Sequence, residues 1–231
     1  MLTAKTSRGE IALIAHEIGS GLSVMAGYVS MVVAGDLDDQ PELRVLVAER
    51  VIQQGANLRA LTDALLGSLT TEDETTTIDL REAARLAIER TRGRADLEAC
   101  LVGIDMDEKA GPLPVRGNRT QVVCILTCLL TNALLYSPRP ASVTLEVRDG
   151  DPAEIAVSDH GFGIPAGARL DVFERERRLD ESGDGFGMGL ALSREMAEQN
   201  GGSLRLESSE VGKGSTFVLA LPRAAAPEWE E

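Results

Sequence analysis

Apolar residues recur every three or four positions through the first third of the chain. This spacing is typical of a helix that packs one face against other helices. The first stripe lies between residues 9 and 34, at Ile11, Ala15, Ile18, Leu22, Met25, Val29 and Val32. A second stripe follows the acidic turn segment GDLDDQP, at Leu43, Val47, Val51, Leu58, Leu61 and Leu65, with Gln54 as its polar exception. The pattern predicts a helical hairpin over residues 1–70.

A hairpin of two helices buries its apolar stripe poorly by itself. The simplest completion is a second copy of the chain, which gives a symmetric four-helix bundle. We therefore predict a homodimer.

The pattern changes after residue 70. Residues 71–77 are polar and lack an apolar period, which is typical of a linker. Asp79 and Glu82 fit a capping box ahead of LREAARLAIERTR, and GNRTQVVCILTCLLTNALLYS predicts a second helix. Four segments alternate as strands do: SVTLEVRD, AEIAVSD, GSLRLESS and STFVLALP.

These elements predict an α+β protein. The helical hairpin is followed by an α/β sandwich over residues 78–222, with helices on one face of a sheet. The tail, residues 223–231, has no periodicity, and we expect it to be loose.

Composition excludes several classes of function. The 23 basic and 37 acidic residues give a formal charge of −14, which would repel nucleic acids and anionic membranes. The sequence has no membrane-length apolar run and no secretion signal at its start, so we expect a cytoplasmic protein. The two histidines are far apart and the cysteines lack CxxC spacing, which argues against a zinc site. We expect Cys100, Cys124 and Cys128 to be reduced and buried.

Two glycine-rich segments carry candidate chemistry. In SDHGFGIP, the carboxylate of Asp159 follows a predicted strand, and Gly161 and Gly163 let backbone approach a flat ligand. In GDGFGMGLAL, the glycines at a spacing of two, Gly185, Gly187 and Gly189, come ahead of a predicted helix, whose free N–H groups favour phosphate. Taken alone, either segment is equally typical of an ordinary turn.

In their order along the chain, six segments resemble the sequence boxes of sensor histidine kinases and their wider ATPase superfamily. The resemblance runs from about residue 8 to Pro222. IAHEIGSGL resembles the phosphoacceptor box, LLTNALLYSP the asparagine box, DHGFGIP and GFGMGLAL the two glycine boxes, VFERERR the phenylalanine box, and GKGSTFVLALP the closing strand pair.

This resemblance implies the catalytic core of a dimeric histidine autokinase that uses ATP and Mg²⁺. The γ-phosphoryl group would pass to His16 and then to an aspartate on the receiver domain of a response regulator. Glu17 would accept the imidazole proton of His16. Ser20 keeps a hydroxyl at the position linked in the family to dephosphorylation of the response regulator.

The resemblance also assigns an ATP site. Asn132 would supply a side-chain oxygen to Mg²⁺, Asp159 would accept from the adenine amino group, and Gly161 and Gly163 would admit the base. The remaining expected contacts are Tyr136 and Thr216 beside the nucleotide, Gly185, Gly187 and Gly189 in a lid, and Arg175 and Arg178 at the γ-phosphate. For the two arginines, a role as solvated surface charges is equally consistent with the sequence.

Some positions depart from the family pattern. Gly21 replaces a usual proline, Cys128 a usual asparagine and Leu135 a usual cation, so we expect a slower kinase. Two alternatives stay open: a non-catalytic histidine phosphotransfer or scaffold protein with a degenerate ATP domain, and an ATPase of the superfamily, which would have no use for a His-Glu pair on a helical hairpin. About 15 residues precede His16, so we expect the stimulus to arrive through another segment or a separate sensor protein.

Overall fold

The computed structural model describes residues 8–48, 50–51, 54–55, 58, 62, 75–92, 101–105, 111–138, 141–174 and 189–225. Within these ranges, side chains are described from residue 18 onward, except at 92 and 101–105. The chain divides into two compact units, with residues 1–61 in the N-terminal unit and most of the remainder in the C-terminal unit.

The N-terminal unit contains the predicted helical hairpin. Helix α1 spans Arg8–Ala34. It ends at Gly35, whose positive φ of 79° starts the turn over residues 35–39. Helix α2 covers residues 41–48, and the described residues between 50 and 62 are also helical. The methyl group of Met25 lies 3.6 Å from where a Cβ on Gly55 would stand, so the two helical segments pack against each other.

Only part of the apolar stripe is covered within one chain. Val47 and Gln54 are buried, whereas Leu22 is 54% and Val29 47% exposed. Val33, one turn beyond Val29 on α1, is 81% exposed. An apolar face of α1 therefore remains open in the single chain.

The C-terminal unit is built on a five-stranded sheet and a two-stranded sheet. Its strands are β1 (Thr76–Asp79), β2 (Leu101–Asp105), β3 (Pro114–Gly117), β4 (Ser142–Arg148), β5 (Ala153–Asp159), β6 (Ser203–Glu210) and β7 (Gly214–Leu221). The larger sheet has the order β2-β4-β5-β7-β6, with β2 parallel to β4 and the other pairs antiparallel. The antiparallel strands β4 to β7 are the four that the sequence predicts.

In the described part of this unit, three helices accompany the sheet: α3 (Leu80–Arg92), α4 (Arg119–Leu135) and α5 (Gly189–Gln199). Helix α4 is apolar nearly all round because it contacts α3, α5 and strands β4 and β5. It begins at Asn118, whose side chain accepts from the N–H of Gln121 at 3.1 Å. The core lies between these helices and the inner sheet face. The largest fully buried side chains are Leu80, Leu113, Ile125, Leu126, Leu129, Leu130, Leu145, Ile155, Met196, Leu219 and Leu221.

Buried amides join the start of α4 to the end of α5. The Nδ2 of Asn200 donates to Gln121 Oε1 at 2.7 Å and to the carbonyl of Met196 at 2.6 Å. The Oδ1 of Asn200 accepts from the N–H of Asn118 at 2.5 Å. These bonds satisfy polar groups that would otherwise be buried without partners.

The outer sheet face carries a ladder of charged side chains. Arg148 pairs with Glu146 at 2.9 Å and with Glu207 at 2.9 Å, and Arg205 pairs with Glu154 at 3.0 Å. Hydrogen bonding to Arg148 lowers the pKa of Glu207 below its ordinary value. The ladder covers the sheet surface on the side away from the helices.

The structure differs from the sequence prediction at the ends of the C-terminal unit. Thr76 and Thr77 of the predicted linker lie in β1. Asp79 caps α3 as expected by accepting from the N–H of Arg81 at 3.0 Å, whereas Glu82 pairs with Arg119. The prediction of a loose tail is wrong for its first two residues, because Arg223 bridges to Val115 and the N–H of Ala224 donates to the carbonyl of Pro114 at 3.0 Å. Residues 226–231 of that tail lie outside the described residues.

Cys124 and Cys128 carry thiols and are buried, as predicted, and Cys100 lies outside the described residues. No helix among the described residues is both long and apolar enough to span a bilayer.

Candidate functional site

Asp159 stands at the end of β5, where the glycine-rich loop begins. Its Oδ1 accepts from the backbone N–H of Gly161 at 2.8 Å and of Ser215 at 3.1 Å. Its Oδ2 makes no hydrogen bond to any residue in the described part of the chain. Burial raises the pKa of this carboxyl, and the two N–H donors partly oppose that rise. The carboxylate is therefore held by one oxygen and leaves the other available as an acceptor.

Glycine is required where this loop meets neighbouring backbone. A Cβ on Gly161 would lie 2.2 Å from the carbonyl oxygen of Tyr136, and one on Gly214 would lie 2.0 Å from that of Asp159. Gly163 has a φ of 67°, and its Cβ would lie 2.1 Å from the carbonyl oxygen of Glu210. The loop therefore packs directly on the end of α4 and on the β6–β7 turn.

Two backbone hydrogen bonds hold the same contacts. Phe162 donates to the Tyr136 carbonyl at 3.0 Å, and Gly212 donates to the Phe162 carbonyl at 2.8 Å. The side chains of Tyr136 and Phe162 are exposed. Tyr136 thus adjoins the Asp159 loop.

Asn132 lies on α4 one turn before Tyr136, and its amide is oriented by a cysteine. The Nδ2 of Asn132 faces Cys128 Sγ at 3.9 Å, a weak hydrogen bond to sulfur. The same sulfur lies 3.1 Å from where a Cβ on Gly189 would stand, so the start of α5 packs on Cys128. Asn132 is only partly buried, and its oxygen is the end of the amide turned away from Cys128.

Thr216 and its neighbour Ser215 make different contacts at the start of β7. Successive residues of β7 point to opposite sheet faces. Thr216 bonds to Ser158 across the strands at 3.0 Å, whereas Ser215 donates its N–H to Asp159. The hydroxyl of Ser215 bonds to that of Ser209, at 2.9 Å. Sequence analysis missed Ser209 and Ser215, and the available signal was a pair of serines at the two ends of one predicted hairpin.

The segment before the second glycine box is anchored by aromatic packing. Phe173 meets Phe217 edge to face with ring centres 6.0 Å apart, and the guanidinium of Arg194 lies 5.5 Å from the Phe173 ring centre. Gly189 is the first residue of α5. Arg175, Arg178, Gly185 and Gly187 lie outside the described residues.

The three candidates in the N-terminal unit lie on α1. Ser20 is exposed, and His16 and Glu17 have helical backbone, their side chains being outside the description. Helix α1 continues without a break through Gly21.

The site in the C-terminal unit combines three groups of different chemistry. It has a partly buried carboxylate with an unused oxygen, an amide oxygen on α4, and the start of helix α5 beyond a glycine-rich segment. Within the described residues, no cluster of three or more His, Cys, Asp or Glu side chains is placed to hold a metal ion. A metal here would take its ligands from an amide and from a bound anion.

Known proteins are similar to this chain in sequence and in fold. Residues 117–225 match the family of histidine kinase-, DNA gyrase B- and HSP90-like ATPases. The chain is 32% identical over 225 residues to the sensor-like histidine kinase SenX3 of Mycobacterium tuberculosis, with 93% of this chain and 53% of SenX3 covered. It therefore spans about half the length of that curated relative.

Two solved structures resemble the C-terminal unit. The mycobacterial sensor histidine kinase MprB is 28% identical with a TM-score of 0.54, and the match covers 65% of this chain and 98% of that one. The ATP-binding domain of PrrB from Mycobacterium tuberculosis is 26% identical with a TM-score of 0.50, and the match covers 65% and 98% of the two chains. The chain therefore belongs to the two-component sensor histidine kinase family, as a catalytic core in which N-terminal helices precede a histidine kinase-type ATPase domain.

Proposed function

We propose that this chain is an ATP-dependent histidine autokinase that phosphorylates His16 and passes the phosphoryl group to an aspartate of a response regulator. Residues 1–70 would supply dimerisation and phosphotransfer, and residues 78–222 would bind the nucleotide. The observation that carries the proposal is the carboxylate of Asp159, held by the N–H groups of Gly161 and Ser215 with its second oxygen unused.

Asp159 suits the recognition of an adenine base. The 6-amino group of adenine is a donor, and Oδ2 is an acceptor in partly buried surroundings. A charge-assisted hydrogen bond of this kind contributes about 1.5–3 kcal/mol. The close backbone contacts at Gly161 and Gly163 hold the loop against α4 and the β6–β7 turn, which would keep the carboxylate in place for the base.

Asn132 would hold Mg²⁺ together with the phosphates of the nucleotide. Its carboxamide oxygen is the hard ligand that Mg²⁺ prefers, and the contact of Nδ2 with Cys128 turns that oxygen outward. When bound, the ion would neutralise charge on the transferred phosphoryl group. The N–H groups at the start of α5, with Gly185, Gly187, Arg175 and Arg178 in the preceding segment, would face the phosphates.

His16 would attack the γ-phosphorus through a neutral imidazole nitrogen. Glu17, next to it on α1, would take the proton from the other ring nitrogen and so fix the tautomer. The His16–phosphorus bond forms as the bond from phosphorus to the bridging oxygen of ADP breaks. The exposed hydroxyl of Ser20, one turn after His16, would place water for hydrolysis of the phosphorylated regulator.

The open apolar face of α1 supports a homodimer. Leu22, Val29 and Val33 follow one another at helical spacing and are about half exposed or more in the single chain. A second hairpin on this face would complete a four-helix bundle.

Labelling with γ-³²P ATP and Mg²⁺ tests the kinase proposal on the full chain. We expect label that is labile in acid and stable in base, absent in His16→Gln and strongly reduced in Asn132→Ala. The control His160→Gln changes the second of the two histidines and keeps the label. Wild-type protein that binds ATP but takes up no label would contradict the autokinase and favour a phosphotransfer or scaffold protein.

A further inference from the structure

Ser209 joins three parts of the Asp159 site without reaching the surface. It lies near the end of β6 and is 8% exposed. Its Oγ accepts from the N–H of Ile164 at 2.7 Å and lies 2.9 Å from Ser215 Oγ and 3.3 Å from the carbonyl oxygen of Gly214. One hydroxyl therefore ties the glycine-rich loop to the start of β7.

The orientation of the Asp159 carboxylate depends on that connection. Oδ1 is held by one donor on the loop, Gly161, and by one donor on β7, Ser215. If the loop and β7 move apart, Oδ1 cannot keep both bonds. The hydroxyl of Ser209 fixes the separation, because it bonds to both segments at once.

The backbone at Ser209 strengthens the same connection. The guanidinium of Arg169 donates through Nη2 to the carbonyl of Ser209 and through Nε to that of Ile164, at 3.4 Å for the latter. The loop is therefore attached to β6 on both sides of Ile164. Because Ile164 is buried, its N–H has no access to water if the hydroxyl is removed.

We propose that Ser209 is a positioning residue for base selection, and that its hydroxyl orients Asp159 through Ile164 and Ser215. The inference rests on the proposed role of Asp159 as acceptor for the 6-amino group of adenine. Ser209 itself touches no nucleotide. Its loss would mainly remove the preference for a base that carries the amino group, because that preference depends on where Oδ2 points.

The test compares two nucleotides on the full chain by isothermal titration calorimetry. ATP carries the 6-amino group, and purine riboside triphosphate lacks it. We expect wild-type protein to bind ATP roughly 10- to 150-fold more tightly, the worth of one charge-assisted hydrogen bond. Ser209→Ala should reduce this ratio about five- to tenfold, since a displaced acceptor keeps only part of the bond. Ser209→Cys, nearly the same size with weaker hydrogen bonding, should fall between the two.

Ser208→Ala is the matched control. Ser208 is the preceding residue on β6, and its side chain is exposed and points to the other sheet face. It should keep the wild-type ratio. Thermal unfolding identifies the variants that are folded, and if Ser209→Ala does not fold, Ser209→Cys carries the comparison.

The outcomes separate the inference from the proposed function. A Ser209 variant that weakens the binding of both nucleotides by the same factor overturns the positioning role, because Ser209 would then be a purely structural residue. An unchanged ratio in a folded variant overturns it as well. If wild-type protein itself binds both nucleotides equally, the role of Asp159 in base recognition is wrong and the inference falls with it.

Discussion

Replacing Gly161 with alanine perturbs a close backbone contact of the candidate nucleotide site. The new Cβ would lie 2.2 Å from the carbonyl oxygen of Tyr136, which is 0.8 Å short of the 3.0 Å that such contacts need. The partner is backbone at the end of α4, so it cannot turn aside as a flexible side chain can. Either the loop or the end of the helix must move.

That movement would break two hydrogen bonds. One joins Gly161 N–H to Asp159 Oδ1 at 2.8 Å, and the other joins Phe162 N–H to the Tyr136 carbonyl at 3.0 Å. The first bond is charge-assisted and the second neutral, so their loss lowers the free energy of unfolding by about 2–4 kcal/mol. Because Asp159 also loses its orientation, we expect ATP to bind roughly 10- to 150-fold more weakly.

Gly167→Ala is the control for this substitution. A Cβ on Gly167 meets no atom within 4 Å, and the residue lies in the exposed turn Ala166–Ala168. Urea unfolding and calorimetric titration with ATP should leave this variant close to wild type. If Gly161→Ala matches Gly167→Ala in both assays, the loop can shift without loss of stability or of ATP affinity, and the reasoning from close packing is refuted.

Three further substitutions test charge and buried polar contacts. Burial raises the pKa of Asp159, so wild-type protein should lose stability relative to Asp159→Asn as the pH rises from the ordinary value of 3.8 through the raised pKa. Urea unfolding of both proteins across that pH range measures the difference. Unfolding free energies that change with pH in parallel for the two proteins would contradict the prediction. Asn200→Ala removes the acceptor of the Asn118 N–H and the donor to Gln121 Oε1, so the free energy of unfolding should fall by about 2–5 kcal/mol. The Kd for ATP should stay unchanged, which checks that the effect is local. Arg148 lowers the pKa of Glu207, so the stability that the ion pair contributes is present above the ordinary pKa of 4.5 and is lost as the pH falls through the lowered pKa. Glu207→Gln should therefore lose less stability than wild-type protein between neutral and acidic pH. At neutral pH the substitution should cost less than about 1 kcal/mol of unfolding free energy, and less still in high salt.

The sequence predicts the elements that have several apolar periods. Strands β4 to β7 and helices α3 and α4 each repeat their pattern at least twice, and all lie where that pattern indicates. Strands β1 and β3 have four residues each, and β1 reads as polar because three of those residues are Thr76, Thr77 and Asp79. Such short strands are held by pairing with each other, which local periodicity does not show.

In the candidate site, too, some residues could be predicted from the sequence and others could not. Asp159, Gly161 and Gly163 lie in one segment, so their order alone shows that they belong together. That the N–H of Ser215 lies beside Asp159 follows from the pairing of β5 with β7, a long-range register that local periodicity does not show. The burial of Ser209 could not be predicted from the sequence, because the register shift between Leu206 and Ser208 interrupts the alternation of buried and exposed positions along β6.

Helices α4 and α5 are joined differently at their two ends. At one end, the amides of Asn200 and Gln121 fix the helices by hydrogen bonds; near the other, Gly189 rests on Cys128 by van der Waals contact. A rotation of α5 about its hydrogen-bonded end at Asn200 would therefore move its other end the furthest. At about 1.5 Å per residue, α5 is roughly 16 Å long, so a tilt of about 10° at the amides moves Gly189 by about 3 Å. A rotation of this size about Asn200 would thus produce, at the other end of α5, a displacement about as long as a hydrogen bond.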